Sequence, residues 1–240
     1  MIDIHNHVLF GVDDGAKTLT DSLNMLKEAK KVGFTELILT PHYFSYEKYL
    51  SPVLENQKKF EILDAAQKKE GINLNLYLGN ELLYKYKLEN LLNQAIYKPL
   101  GKSPWFLVET ERRGGTPIGL LNFCDFLLSK GYKMILAHPE RYDFVQEEPE
   151  WIDTFREHGI LIQCNYLSLV DYYRYPAKET LENLLLNGKV DLLGSDAHQA
   201  DGFTLYAEAE KKGIDLIGKE KWQLLMTENA KNLLFNDEKC

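Results

Sequence analysis

The sequence predicts an α/β fold in which seven βα units close into a barrel, and three observations support this. Short runs rich in Ile, Leu and Val recur along the chain as continuous apolar stretches, as expected of parallel strands covered on both faces. Segments of helical periodicity follow them, several ended by glycine, as at Gly33, Gly71, Gly131 and Gly188. A residue type able to ligate metal stands at or just past the end of nearly every apolar run, where the βα loops of a barrel build its site. An open doubly wound sheet would instead gather its ligands at one switch point.

The strand-like runs occupy residues 2–5, 36–40, 74–78, 105–109, 134–137, 160–164 and 190–193. The clearest helical segments are 20–32, 52–69, 119–130 and 177–186, and 220–235 reads as a C-terminal helix closing the barrel. No internal repeat, low-complexity stretch or Pro/Ser-rich linker divides them, so residues 1–240 are expected to form a single domain. A hydrophobic content of 45% with 27% charged residues is that of a soluble globular chain and excludes a disordered one. The formal charge of −8 disfavours nucleic acid as a partner, because nonspecific binding relies on Lys and Arg neutralising phosphates. With no basic segment leading an apolar one at the N-terminus and no run long enough to span a bilayer, the expectation is a cytoplasmic protein that is not membrane-embedded. The three cysteines, Cys124, Cys164 and Cys240, are widely spaced and form no C-x-x-C pair, which fits reduced side chains.

Of six histidines, five (His5, His7, His42, His138 and His198) belong to one pattern. His5 and His7 sit at i and i+2 of a strand and so project to one face, a chelating pair. Asp196 and His198 repeat the spacing near the far end of the chain, while Asp14, Glu81 and Glu109 add carboxylates. His and carboxylate donors without thiolates suit Zn, Mn or Fe rather than a structural Cys-rich zinc. These nine candidates exceed what one four-coordinate ion can use, so a carboxylate, with Glu81 the candidate, should bridge two ions. Two ions about 3.5–4 Å apart can hold a hydroxide and clamp both the attacking and leaving oxygens of an in-line displacement, which is the chemistry of phosphoester hydrolysis. Each residue also has a structural reading. His42 and His138 could be buried and bonded once, Asp14 could cap a turn, and Glu109 could pair with Arg112 or Arg113. His158, just before Gly159, reads as a helix-end residue outside the pattern.

The opening run from His5 to Lys17, with Thr40-Pro41-His42 and the run Ala137-His138-Pro139-Glu140-Arg141-Tyr142, resembles the polymerase-and-histidinol-phosphatase (PHP) superfamily of metal-dependent phosphoesterases. Within it, the segments resemble the branch of bacterial tyrosine-protein phosphatases, over essentially the whole chain. The resemblance implies a distorted seven-stranded barrel holding three divalent ions, with manganese preferred. It also implies a phosphotyrosine protein as substrate, the tyrosine-rich tail of an autokinase controlling capsule and exopolysaccharide export. Position by position it implies His5, His7, Glu81 and Asp196 on one ion, Glu81, Glu109 and His138 on a second, and Asp14, His42 and His198 on a third. Arg141 would grip the substrate phosphate, as a guanidinium can do bidentately; the alternative is an ion pair with Glu140 or Asp143. Catalysis would then rest on Arg141, His42 and Asp196 around a metal-bound hydroxide. The chain departs from the better-known members in one respect: residues 199–206, after Ser195-Asp196-Ala197-His198, contain no second arginine, leaving Arg112, Arg113 or Arg174 to substitute.

No cysteine is followed six residues later by arginine, so the cysteine-nucleophile route to tyrosine dephosphorylation is absent. Aromatics at Tyr43, Phe44 and Tyr46, at Tyr166, and at Tyr172, Tyr173 and Tyr175 either wall a phenyl ring or pack on neighbouring helices. Competing readings are a small-molecule phosphomonoesterase such as a histidinol phosphatase, an amidohydrolase, and a non-catalytic metal-binding regulator. The amidohydrolase leaves Asp14, His42 and His198 without a use.

Overall fold

The computed structural model describes residues 1–43, 52–85, 97–173 and 175–235. Strands β1 (Ile2–Asp3), β2 (Glu36–Leu39) and β4 (Asn75–Leu78) make one sheet in the order β1-β2-β4. Strands β3 (His42–Tyr43), β5 (Glu81–Leu83), β6 (Trp105–Glu109), β7 (Lys133–Ala137), β8 (Leu161–Asn165) and β9 (Leu192–Gly194) make the other, in that order. Every pairing is parallel, which defines an α/β fold.

The two sheets are linked twice. β3 and β5 prolong β2 and β4 after interruptions at Thr40-Pro41 and Gly79-Asn80. Proline has no N–H to give a ladder, and at Gly79 a Cβ would lie 2.9 Å from Leu100 Cδ2. Pairing nevertheless continues across the gap, with Gly79 N donating to Leu39 O at 2.9 Å and Glu81 N to Pro41 O at 3.2 Å. On the opposite side Asn6 forms a parallel bridge with Ala197. There Asp196 N donates to His5 O at 2.7 Å and His7 N to Ala197 O at 2.9 Å.

All seven predicted strand runs contain a strand. The segments β3 and β5 were not foreseen, because two or three residues carry no readable period.

Alternate strand residues bury to opposite sides, as a period of two requires. Leu37, Leu39, Val108 and Leu136 join the large cluster under the helices. Ile2, Ile38, Leu107, Ile135 and Leu192 converge in a smaller one. Both sets are essentially inaccessible to water, which explains why the strands read as continuous apolar runs.

Helix α1 (Leu19–Lys31) opens with a capping box between Thr18 and Asp21. Then come α2 (Val53–Lys69), α3 (Pro117–Ser129), α4 (Asp143–Glu147), α5 (Trp151–Glu157) and α6 (Tyr175–Leu186). After β9 follow α7 (Asp201–Thr204), α8 (Tyr206–Ile217), α9 (Lys219–Gln223) and α10 (Asn229–Phe235). The predicted C-terminal helix is thus interrupted by a π-helical turn, Leu224–Glu228, and Ala230 of α10 seals the smaller cluster with Leu233 and Leu234 packed beside it. Among the described residues no helix is long and apolar enough to cross a membrane.

One close packing fixes α8 on α9. A Cβ on Gly213 would lie 2.0 Å from Cζ3 of the buried Trp222, whose indole N–H donates to Tyr206 Oη at 3.1 Å. Gly213→Ala should therefore lower stability by about 1–3 kcal/mol through overpacking, despite alanine's better helix propensity. Thermal melts compared with the unsubstituted protein check the sign; a raised melting temperature would contradict the packing.

Candidate metal centre

The ligand-type residues meet at one end of the parallel strands. His5 and His7 follow β1 on one face, with ring centroids 5.5 Å apart. His42 and Glu81 begin β3 and β5 and are register partners, which places an imidazole beside a carboxylate. Glu109 ends β6, His138 follows β7, and Asp196 follows β9. His138 and Asp196 have φ of 36° and 51°, in the left-handed region that costs non-glycine residues energy. Such strain persists where surrounding structure demands it and clusters at functional sites.

Glu81 is the hub. Its Oε1 lies 3.2 Å from His5 Nε2 and 2.9 Å from His138 Nε2, and its Oε2 lies 3.4 Å from His7 Nε2 and 2.9 Å from His42 Nδ1. Asp196 Oδ1 stands 3.4 Å from His5 Nε2 and 3.2 Å from His7 Nε2. Glu109 Oε1 is 3.2 Å from His42 Nδ1. Asp14 Oδ1 is 3.4 Å from both His42 Nε2 and His198 Nε2.

Three groups emerge whose donor atoms lie within 4.8 Å of one another: His5, His7, Glu81 and Asp196; His42, Glu81 and Glu109; and His7, Asp14, His42 and His198. The first matches the expected set. The second has His42 where His138 was expected, although His138 Nε2 is still 3.7 Å from Glu109 Oε2. The third contains the expected residues and adds His7.

The donors fit divalent ions. His5 Nε2, His7 Nε2, Glu81 Oε2 and Glu109 Oε1 are buried without a hydrogen bond, although buried polar atoms nearly always have one. The other ring nitrogens are held: His5 Nδ1 by Gln163 Oε1 at 2.9 Å, and His7 Nδ1 by Asp13 Oδ2 at 2.8 Å. Protonation of Nδ1 turns each Nε2 lone pair inward, the arrangement that orients metal-ligating imidazoles.

Asp13 also accepts from His42 N at 3.0 Å and Gly15 N at 2.9 Å, which ties three segments of the site together. Fully buried Asp3 accepts from Ser195 N at 2.9 Å, Ser195 Oγ at 2.7 Å and Asn6 Nδ2 at 3.1 Å, binding the first strand to the Asp196 loop. Asn165 Nδ2 donates to Asp196 Oδ2 at 2.8 Å. Sequence reading missed Asp3, Asp13, Gln163 and Asn165. Only Asp13 carried a signal, as the neighbour of the candidate ligand Asp14 in a run of two carboxylates.

The electrostatics follow from crowding. Burial opposes ionisation of Glu81 and Asp196, but the His5 charge acting on both, His42 on Glu81 and His7 on Asp196 hold the two carboxyls well below the usual range. Burial and His7 push the His42 imidazolium down, yet Glu81 and Glu109 outweigh them and raise it to about 10. His7 is likewise disfavoured by burial and raised overall, chiefly by Asp13.

Arg141 donates from Nη1 to Asp196 Oδ2, and its guanidinium lies 4.1 Å from the Tyr173 ring centroid. It pairs with a candidate ligand, then, and not with Glu140 or Asp143. A cleft of about 770 Å³ opens here, lined among others by Arg112, Arg113, Arg141, Tyr172 and Tyr173. Tyr43 and Tyr166 take the packing alternative and are core side chains: Tyr43 meets the Tyr97 ring at a tilt, centroids 5.3 Å apart, and Tyr166 donates to Gly202 O at 2.9 Å. Phe44, Tyr46 and Arg174 lie outside the described residues. His158 stands apart at the end of α5, 2.8 Å from Asp125 Oδ1. Cys124 and Cys164 are buried free thiols.

The capsular polysaccharide synthesis family CpsB/CapC matches residues 1–235. The chain belongs to this family. Curated relatives include the tyrosine-protein phosphatase CpsB of Streptococcus agalactiae, 27% identical and covering 98% of this chain and 99% of its own. The tyrosine-protein phosphatase YwqE of Bacillus subtilis is also 27% identical, over 98% of this chain and 92% of its own. A solved structure from work on YwqE of Bacillus subtilis and CpsB of Streptococcus pneumoniae, described as metal-dependent tyrosine phosphatases, superposes with a TM-score of 0.88 at 28% identity. It covers 98% of this chain and 94% of that one. Histidinol phosphate phosphatase from Lactococcus lactis, at 18% identity and a TM-score of 0.56, shares the fold alone.

Two outcomes are expected of this CpsB/CapC site. Asp13→Asn should weaken divalent-ion affinity roughly 10- to 100-fold, because the His7 ring loses its anionic anchor; titration of metal-free protein with Mn²⁺ measures it, and unchanged affinity would remove Asp13 from the site. Metal uptake should also release protons. His42, raised from 6.5 to about 10, is protonated in the metal-free chain at neutral pH and must lose that proton to ligate. Apparent affinity should therefore climb as pH rises from about 6.5 toward 10. The same shift makes His42 stabilise the metal-free fold fully below its unfolded pKa and lose that contribution as pH rises through about 10. Calorimetry in two buffers of different ionisation enthalpy counts the protons and the ions; zero proton release would refute the coupling.

Proposed function

We propose that this chain is a metal-dependent protein-tyrosine phosphatase acting on a phosphotyrosine protein, the tail of a bacterial tyrosine kinase that controls capsule or exopolysaccharide synthesis. One observation carries the reading: Glu81 is shared by two of three overlapping ligand groups, and Arg141 is bonded to Asp196 of one of them. The family membership and the phosphatase relatives support it.

The domain is a distorted seven-stave barrel of PHP type spanning residues 1–240. β2 with β3 and β4 with β5 count as single broken staves, and the Asn6–Ala197 bridge joins the last stave to the first. The convergence of inward residues from β1, β2, β6, β7 and β9 in one small cluster supports closure.

The ligands are His5, His7, Asp14, His42, Glu81, Glu109, His138, Asp196 and His198, holding three divalent ions; a donor set without thiolate suits Mn, Fe or Zn, and the resemblance to the phosphatase branch favours Mn²⁺. Ions bound there supply Lewis-acid stabilisation of phosphoryl oxygens and an activated water. Arg141 holds the substrate phosphate, and Tyr173 and Asp196 fix its guanidinium beside the ligand cluster. Asp196 thereby acts twice, with Oδ1 toward His5 and His7 and Oδ2 toward Arg141, setting the phosphate grip against the ion positions. His42 also faces two groups, Nδ1 toward Glu81 and Glu109 and Nε2 toward Asp14. A tyrosinate leaving group, with a solution pKa near ~10, needs less protonation than an alkoxide does. Burial of both described thiols and the chemistry of the reaction suit the cytoplasm.

The metal-loaded protein should hydrolyse phosphotyrosine peptides with higher kcat/KM than phosphoserine peptides or histidinol phosphate. Arg141→Ala should lower that value by roughly ten- to a thousandfold, as expected for loss of one charge-assisted contact to developing charge. Steady-state kinetics on the three substrates decide the matter. Equal or better turnover of histidinol phosphate would overturn the tyrosine assignment and leave a small-molecule phosphomonoesterase; full activity in Arg141→Ala would move the grip elsewhere.

A further inference from the structure

The cleft beside the ligand cluster concentrates positive charge. The protein has a formal charge of −8, yet three guanidiniums, from Arg112, Arg113 and Arg141, face this one opening against a single lining carboxylate, Asp143. Arg141 is committed to Asp196 and the Tyr173 ring at the inner wall. Arg112 and Arg113 are exposed, and among the described residues neither has a hydrogen-bonding or ionic partner for its side chain. Their neighbour Glu111, the nearest anion in sequence, is instead paired with Lys85 at 3.1 Å.

The segment that presents them is held at both ends. It leaves β6 directly after Glu109, and the Arg112 carbonyl accepts from Asp143 N at 3.0 Å. The turn that follows uses Gly114 at φ +75°, and a Cβ on Gly115 would lie 2.7 Å from Glu111 O. A tight turn anchored to α4 thus aims two unpaired guanidiniums into the opening that Arg141 closes from within. Across the cleft, Tyr172 is 40% exposed and offers a ring face.

We infer that Arg112 and Arg113 form a second anionic subsite, which takes acidic side chains of the substrate peptide flanking the phosphorylated tyrosine. Guanidinium forks match carboxylates bidentately, which makes arginine a favoured partner for acidic side chains. A cleft of about 770 Å³ has room for several side chains beyond one phosphotyrosine, and its positive lining repels basic sequences. The inference rests on the tyrosine-phosphatase reading of the adjoining centre and adds sequence preference to it.

The test compares two phosphotyrosine peptides, one with glutamates on either side of the phosphorylated residue and one with alanines there. The metal-loaded protein is assayed as such and as the double variant Arg112→Gln/Arg113→Gln, which keeps the backbone contact to Asp143. The unsubstituted protein should prefer the acidic peptide roughly tenfold in kcat/KM, through KM, and the double variant should reduce that ratio to about one. A basic loop with only a structural role would lower both values and leave the ratio untouched. A ratio near one in the unsubstituted protein, or an undiminished ratio in the variant, overturns the subsite. Hydrolysis of histidinol phosphate with neither peptide turned over overturns the underlying tyrosine reading, and the peptide subsite with it.

Discussion

Glu81 is wholly buried, and its two oxygens face His5, His7, His42 and His138 at 2.9–3.4 Å. A carboxylate without water is stable only when opposite charge surrounds it, and the four imidazoles are stable there only because Glu81, Asp196 and Glu109 stand among them. The chain has to bring these groups together from strands far apart in sequence and then keep them from relaxing toward solvent. Divalent ions held by these residues would satisfy the same demand more completely, because buried donor atoms such as His5 Nε2, His7 Nε2 and Glu109 Oε1 have no hydrogen-bond partner. Much of the upper structure follows from that requirement.

Asp3 shows how the requirement propagates. Its carboxylate is inaccessible to solvent and binds Ser195 and Asn6, so the first strand and the Asp196 loop cannot move independently. Asp13 does the same for His7 and the His42 backbone. Asp13 holds the second ring nitrogen of the candidate ligand His7, whereas Asp3 acts through Ser195, next to Asp196 in the chain. The left-handed backbones at His138 and Asp196 serve the same end: from them His138 Nε2 reaches Glu81 at 2.9 Å and Asp196 Oδ1 reaches His5 and His7 at 3.4 and 3.2 Å.

The substrate side obeys a different rule. Most of the candidate ligands stand at or just past strand ends, whereas Arg112 and Arg113 ride on a glycine turn and Tyr172 on a loop. Loops on a fixed scaffold can vary without disturbing the centre, so specificity can reside there while the reaction stays constant. Arg141 joins the two regions, because Asp196 holds it to the ligand cluster and Tyr173 holds it to the cleft.

The sequence by itself determined the strand runs, the helical segments between them and the set of ligand-type residues, because apolar periodicity and His-x-His spacing are local and survive in one dimension. The resemblance implied the group of His5, His7, Glu81 and Asp196, whose donor atoms lie together in the structure. Tertiary structure decided the rest. Whether His42 or His138 stands nearer Glu109 depends on register across β3, β5 and β6, which no local pattern encodes. Tyr43 and Tyr166 look like Tyr172 and Tyr173 in sequence, but the first pair packs inward and the second faces the cleft, since burial of an aromatic ring is set by what lies opposite it. The orienting groups Asp3, Gln163 and Asn165 were invisible for the same reason: each acts through a partner brought close only by the parallel pairing of distant strands.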